Sequence, residues 1–330
     1  MKKIILLIVI VVINNCLLAQ DIHFSNLSFN SFYTSVASIG SSNAKLRATT
    51  HYRNQWPTVG KSFQTIGLNA DYKMKVGDGN ALGIGLILNR DQAGELSLTK
   101  LQADFAIAYH QRISKNSHLS GGMQLGIIQH SIDETEGEWG NQYNGKKFDS
   151  NLPSGEQPLF APFMNFDIGA GLMWQYDISE RNRFSQTFTK LNFGASIYHA
   201  FGGAIIYNAG EPEYIRYSIT GSASYVLNHN RYELEPSFVY QLKGKEQQLV
   251  LGMLYKVIIR QGSLYTGYYD RLHVSFGGYY RIPNDAIVPT FNLTYDNFQF
   301  GVSYDVNVSP LIEASSSVGG IEFTLRFLVR

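Results

Sequence analysis

Cysteine is almost missing from this chain: Cys16 is the only one in 330 residues. It lies in a stretch expected to be removed, so disulfides and thiol catalysis are outside the mature chain's chemistry. Charge is scarce and balanced, with 27 Lys and Arg against 26 Asp and Glu and a formal net charge of +1. A nucleic-acid partner would need a concentrated basic surface, which this balance does not suggest. Beyond the first residues there is no run of about 18 apolar side chains, so no helix is expected to span a membrane. No internal repeat is apparent, and no nucleophile motif accompanies the histidines.

What the chain does have begins at its start. Lys2 and Lys3 precede an unbroken apolar run over 4–13, and Leu17, Leu18 and Ala19 lead into the polar Gln20 and Asp21. A basic start, a short apolar core and a small residue at the cut make residues 1–19 a secretory signal peptide, cleaved after Ala19. The 21 Tyr, 20 Phe and 31 Gly suit a membrane barrel, with aromatics for the girdles and glycine where strands bend or crowd.

Alternation of period two runs through the rest. Phe298, Phe300, Val302, Tyr304, Val306 and Val308 alternate with small, polar or charged residues. Ile321, Phe323, Leu325, Phe327 and Val329 do the same at the end of the chain. Successive strand side chains point to opposite faces, so each segment has one greasy and one wet face. Phe300, Val302, Phe323 and Leu325 are expected to face lipid, and lysine is expected to be tolerated better at Ser303 than at Val302. The pattern gives fourteen strands, over 45–55, 62–76, 80–90, 98–113, 117–132, 162–178, 186–200, 214–227, 231–243, 247–260, 271–282, 286–295, 298–308 and 318–329. Many exceed ten residues, which suits tilted spanning strands. The fold class is therefore all-β: a transmembrane antiparallel β-barrel of about 14 strands over residues 45–330, in the outer membrane.

Loop lengths orient it. The connections at 76–80, 114–116, 179–183, 228–230 and 295–297 are short, whereas 133–161, 201–213 and 309–317 are long. Short turns face the periplasm and long loops the outside in such barrels, which puts both chain ends in the periplasm. Residues 261–270 break the rule, and a strand over 264–269 would make the count odd. Residues 20–44 are not strand-like throughout and carry few charges; they are read as a periplasmic arm or a plug in the lumen.

Charges on the inward face are Arg47, Arg53, Asp71, Lys73, Asp305, Glu322 and Arg326. None can be buried unpaired without cost. They form either a lumen charge network or a surface that holds a plug or a partner peptide. His51, His110 and His130 suit a rim or lumen role more than catalysis, which needs a nucleophile beside the base. The acidic stretch 133–138 lacks the regular spacing of a Ca²⁺ loop, and Trp56-Pro57 at a strand exit reads as an interfacial anchor. No cofactor or metal is implied. Trp139, Tyr143, Phe148 and Phe160 lie in the long 133–161 connection, where exposed aromatics make a candidate partner-binding surface.

Four motifs carry a family resemblance. They are Gln20-Asp21-Ile22-His23-Phe24-Ser25 after the signal; Tyr52-Arg53-Asn54-Gln55-Trp56-Pro57; Phe276-Gly277-Gly278-Tyr279-Tyr280-Arg281; and Ser303-Tyr304-Asp305-Val306-Asn307-Val308 followed by Gly319-Gly320-Ile321-Glu322-Phe323. As an ordered set the chain resembles the PorP/SprF family of Bacteroidota, outer-membrane proteins tied to type IX secretion and gliding motility. It departs in Ile22, where proline is frequent, and in its final Arg330. The resemblance implies a non-enzymatic accessory that anchors or helps export a secreted cell-surface protein. Its implied partners are that cargo or adhesin, other secretion-machinery components and outer-membrane lipid. The alternative is a FadL-like passive transporter of small hydrophobic molecules, which an apolar lumen pocket and a lateral opening in the wall would favour.

Overall fold

Fourteen alternating segments close on themselves because a sheet that is greasy on one face only can bury its wet face by curling around it, which also removes the unpaired edges. The computed structural model describes residues 22–58, 60–133, 137–155, 162–181, 186–200, 204–207, 213–227, 231–260, 271–283, 286–308 and 317–330. In chain order the strands are β1 (Leu46–Gln55), β2 (Phe63–Val76), β3 (Asn80–Ala93), β4 (Leu98–Ser114), β5 (Ser117–Ser131), β6 (Phe163–Arg181), β7 (Gln186–Tyr198), β8 (Ala204–Tyr207), β9 (Arg216–Leu227), β10 (Tyr232–Lys243), β11 (Glu246–Arg260), β12 (Leu272–Ile282), β13 (Ala286–Tyr295), β14 (Phe298–Asn307) and β15 (Val318–Val329). All pairings are antiparallel. Each wall strand bonds its neighbours, and β1 pairs with both β2 and β15, which shuts the ring.

Every wall strand expected from alternation is present, with ends within three residues of those read from sequence. The short strand β8 is new. β6 runs beyond the end of β7, and its exposed edge at Met164, Asn165 and Phe166 pairs with β8 instead. Ala204-Ile205-Ile206-Tyr207 has no alternation to announce a strand. Residues 1–21 and 261–270, which carry the signal-peptide and extra-strand readings, lie outside the described residues. Among the described residues no helix is long and apolar enough to cross a membrane; strands do the crossing.

The two faces separate as the period requires. Leu68 and Phe105 are each 52% exposed on the outer wall, while Asn69 and Ser120 beside the lumen are fully covered. Phe300, Phe323 and Leu325 face outward and Val302 is half-buried on the same side, whereas Ser303, Glu322 and Thr324 face in. An outward apolar band with polar residues inside is the lipid-facing pattern of a spanning barrel.

The lumen is not empty. Residues 22–44, which contain no Asp, Glu, Lys or Arg, thread through it with one helical turn at Ser31–Thr34 and a tighter one at Val36–Ser38. Phe32, Val36, Ala37 and Ile39 are almost completely buried. Ile22, Phe24, Phe32, Tyr33 and Ile39 pack with Ile87, Ala106 and Ala108 of the wall. On the far side, Leu27 packs against Val250, Leu254, Tyr279 and Val288. Two wall glycines make the fit possible. A Cβ at Gly83 would strike the Ile39 carbonyl, and one at Gly122 would come within 2.8 Å of the Val36 oxygen. Only a residue without a side chain lets the segment approach this closely.

Candidate functional site

The seven inward charges singled out in the sequence gather around this N-terminal segment. Arg47 meets Asp71 as a two-pronged pair, Nε to Oδ1 at 2.9 Å and Nη2 to Oδ2 at 2.7 Å. The same guanidinium donates to Ser31 Oγ and the Ser38 carbonyl and lies over the Phe32 ring at 4.4 Å. Asp71 accepts from the Gly40 amide at 2.5 Å. Lys73 donates to the Ser42 carbonyl at 3.0 Å. Arg326 donates to Thr49 Oγ1 and the Phe29 carbonyl and covers the Phe29 ring at 4.5 Å. Glu322 accepts from the Ser25 and Asn26 amides. Arg53 donates to the His23 carbonyl and to Asp305. Asp305 also accepts from Arg281, which donates to Ser25 Oγ at 2.6 Å.

The chemistry of this arrangement is consistent. The wall supplies all the charge, and the uncharged segment supplies carbonyls, amides and hydroxyls that satisfy it. Arginine suits the task because its fixed fork binds a carboxylate and still has donors left for carbonyls. Arg281 and Arg216 belong to the same set but were not singled out. Arg216 lies over Tyr198 at 4.1 Å and donates to the Tyr33 carbonyl. Arg281 stands in the third family motif on the inward parity, which was signal enough to find it.

Tyr33 joins the segment to the opposite wall, its hydroxyl 3.1 Å from Asn69 Oδ1 and 2.6 Å from Asn89 Oδ1. His51 stacks on Phe24 at 4.4 Å and lies 3.1 Å from Thr324 Oγ1. His110 lies between Ser120 Oγ at 2.6 Å and the Ile39 carbonyl at 2.7 Å. A carbonyl only accepts, so Nε2 carries the proton and Nδ1 accepts from Ser120. Ser120 and His110 are a hydroxyl beside a base, yet both are enclosed under Ile39.

At the end with the long loops, the 133–161 connection contains a small hairpin. Tyr143 and Phe148 form an antiparallel bridge, flanked by Asn144 N to Lys147 O and Asp149 N to Gln142 O. Tyr143 is 59% and Phe148 38% exposed. The structure brings these two aromatics together at the surface. Trp139 is half-buried beside Gly137 and Leu96, so it folds back toward the mouth. Phe160 and residues 134–136 of the acidic stretch lie outside the described residues. Trp56 bonds Gly319 through its amide and packs edge-on against Phe63 at 5.1 Å. Among the described residues no His, Cys, Asp and Glu group is arranged to hold a metal ion. An apolar hollow of about 860 Å³ exists, but it is lined largely by residues of the outer wall, including Ile107, Tyr109, Met123, Leu172 and Ile219.

Comparison with known proteins supplies the context for this geometry. No curated protein matches the chain. Among solved structures, it is similar to CymD, a monoaromatic hydrocarbon channel, at 10% identity over 94% of this chain and 95% of that one, with a TM-score of 0.48. It is similar to the toluene transporter TbuX of Ralstonia pickettii at 9% identity over 91% and 93%, with a TM-score of 0.45. It is also similar to BamA of Haemophilus ducreyi lacking POTRA domains 1–3, at 10% identity over 87% and 70%, with a TM-score of 0.44. Residues 17–327 match the family described as type IX secretion system membrane protein PorP/SprF. That match spans nearly the whole barrel together with the segment inside it, and the chain therefore belongs to the PorP/SprF family of type IX secretion membrane proteins.

Proposed function

We propose that this outer-membrane barrel anchors, or helps to export, a secreted cell-surface protein, working as a docking platform and not as a pore or an enzyme. The observation that carries the reading is the occupied lumen. Residues 22–44 are buried against strands around the ring, from Asn69 and Asn89 through Ser196 and Ser218 to Asn292 and Glu322. A barrel filled this way offers its rims for work. At the rim with the long loops, Tyr143 and Phe148 are two exposed aromatics on one hairpin, the residue type that dominates protein interfaces. Membership in a type IX secretion family supports the choice of a secreted polypeptide, together with other secretion-machinery components, as the partner.

The experiment is a shortened loop. Removing residues 140–157 takes away the hairpin and leaves the neighbouring strands β5 and β6 intact. The surface partner should then appear in the culture medium while the barrel remains assembled in the membrane. If the partner stays cell-bound, docking lies elsewhere.

A further inference from the structure

The apolar hollow of about 860 Å³ on the outer wall takes no part in the contacts at the rims. It lies where β4, β5, β6, β7 and β9 run side by side. Its floor is low because Gly121, Ala170 and Ala195 point outward there. Each is opposed across the ladder by a large side chain, Gly121 and Ala195 by Leu172 and Ala170 by Met123. Leu172 is 61% and Met123 55% exposed, so they stand up as walls around the trough. The nearest atom to a Cβ at Gly121 would be Leu172 Cδ2 at 3.6 Å, which leaves space for a side chain that the sequence does not place.

The inner side of the same floor is equally bare, formed by Gly122, Gly171, Ser196 and Ser218. Here the N-terminal segment covers the wall: the Val36 amide donates to Ser196 Oγ at 3.3 Å, and Ser218 Oγ donates to the Thr34 carbonyl at 2.9 Å. The sheet is thus little more than backbone at this point, covered by polypeptide inside and open to the membrane outside. An unfilled hollow would cost its lining the dispersion contacts of one side.

Size decides what fills it. Five strands about 4.8 Å apart make the hollow about 19 Å long. Dividing its volume by that length leaves a cross-section of about 45 Å². A helix is about 10–12 Å across and occupies roughly 80–110 Å², too much for the trough. One extended hydrocarbon chain fits, and the length is comparable to the depth of one leaflet, about half of the 30 Å hydrocarbon core. The β4–β5 end carries Arg112 and Lys115, both exposed, which suit a lipid phosphate. Trp174, on the outer wall beside this end, donates to Ser117 Oγ at 2.8 Å and stacks on Tyr176 at 5.7 Å, as aromatics do at a membrane interface.

We propose that the hollow is a binding site for one acyl chain of a phospholipid in the periplasmic leaflet, with the phosphate toward Arg112 and Lys115. The occupant is lipid because the hollow is continuous with the wall that meets the bilayer. The site does not depend on what docks at the rims.

The test uses the full-length barrel. Membranes containing it are loaded with a phospholipid that carries a photoreactive diazirine on its acyl chain, illuminated, and the labelled peptides are mapped by mass spectrometry. Labels should concentrate on 107–109, 121–123, 170–172 and 195–197. In parallel, lipid retained after washing in mild detergent is extracted and identified. The unaltered barrel should keep phospholipid. Ala170→Leu with Ala195→Leu, which fills the trough with a side chain already common on this wall, should lose it. Ala103→Leu, outward on β4 but away from the hollow, should keep it. Gel mobility without boiling shows that each variant is assembled. Arg112→Gln with Lys115→Gln should release the lipid at a lower detergent concentration, and an unchanged concentration overturns the placing of the phosphate. Labels spread evenly around the wall overturn the site, as does equal retention in the filled variant and the unaltered barrel. Recovery of lipid A in place of phospholipid, or cross-links to a second barrel across the hollow, overturns the choice of occupant.

Discussion

Arg53 on β1 and Asp305 on β14 meet at 2.6 Å inside the barrel, although 252 positions separate them in sequence and β15 lies between their strands. Arg281 reaches the same carboxylate oxygen at 3.1 Å. One acid therefore serves two buried guanidiniums, each of which also holds the N-terminal segment, through the His23 carbonyl and Ser25 Oγ.

This shared acid makes the two partners unequal. Asp305→Ala takes from Arg53 and Arg281 the one carboxylate that both touch, and breaking such a buried pair costs about 3–5 kcal/mol. Arg53→Met should cost clearly less, because Asp305 keeps Arg281. Urea titration of the detergent-solubilised barrel, followed by gel mobility without boiling, gives the ranking. Equal losses from the two substitutions would show that Arg281 does not support the carboxylate.

The wall was legible in the sequence because a strand exposed to lipid on one side and polypeptide on the other must alternate, and every charge on the wet parity is conspicuous. Arg47, Arg53, Asp71 and Arg326 were visible for that reason. The path of residues 22–44 was not, because its contacts are set by strands far apart. Tyr33 bonds Asn69 and Asn89, whereas Asn26 bonds Asn292, and no period links such positions. Glu213 was hidden for a different reason. It sits in the irregular connection before β9, and its carboxylate lies 2.8 Å from Lys100, 3.1 Å from His130 and 2.9 Å from Lys243, residues that no period brings together.

Neighbouring glycines on opposite faces of β5 test the close approach of the segment. Gly122→Val would push a side chain into Val36 and Ala37, whereas the nearest atom to a Cβ at Gly121 is Leu172 Cδ2 at 3.6 Å. Overpacking of this kind costs about 1–3 kcal/mol. Gly122→Val should make residues 22–44 sensitive to protease in an otherwise assembled barrel, and Gly121→Val should not. Equal resistance in both variants would mean that the segment does not lie against β5.

Lysine on the outer wall should follow depth. Val302→Lys, near the middle of β14, should cost about 2–4 kcal/mol, and Phe298→Lys at its periplasmic end about 0–1 kcal/mol. The comparison with Ser303 expected from sequence changes in the folded protein. Ser303 is almost wholly buried, its hydroxyl 3.2 Å from that of Thr290, so its surroundings are packed and not aqueous. Ser303→Lys should therefore also impair assembly. Reconstitution yields into lipid vesicles measure all three, and a harmless lysine at Val302 would mean that this face does not meet lipid.

The filled lumen makes a last prediction about transport. Phe32, Val36, Ala37 and Ile39 are buried between facing walls, and Arg47, Arg216 and Arg326 clasp the backbone around them. Ions crossing the barrel would have to displace this chain, so the intact protein in a planar bilayer should show little steady conductance. Deleting 22–40 removes the obstruction and leaves a polar-lined interior, and fourteen strands enclose more space than side chains alone fill. That variant should conduct in large steps. If the deletion prevents assembly, Gly122→Val supplies the same information, since a dislodged segment should produce intermittent openings absent from Gly121→Val. Steady large channels in the intact protein would refute the platform reading in favour of a porin. Silence from both the deletion variant and Gly122→Val, each shown to be assembled, would mean that something other than residues 22–44 closes the lumen.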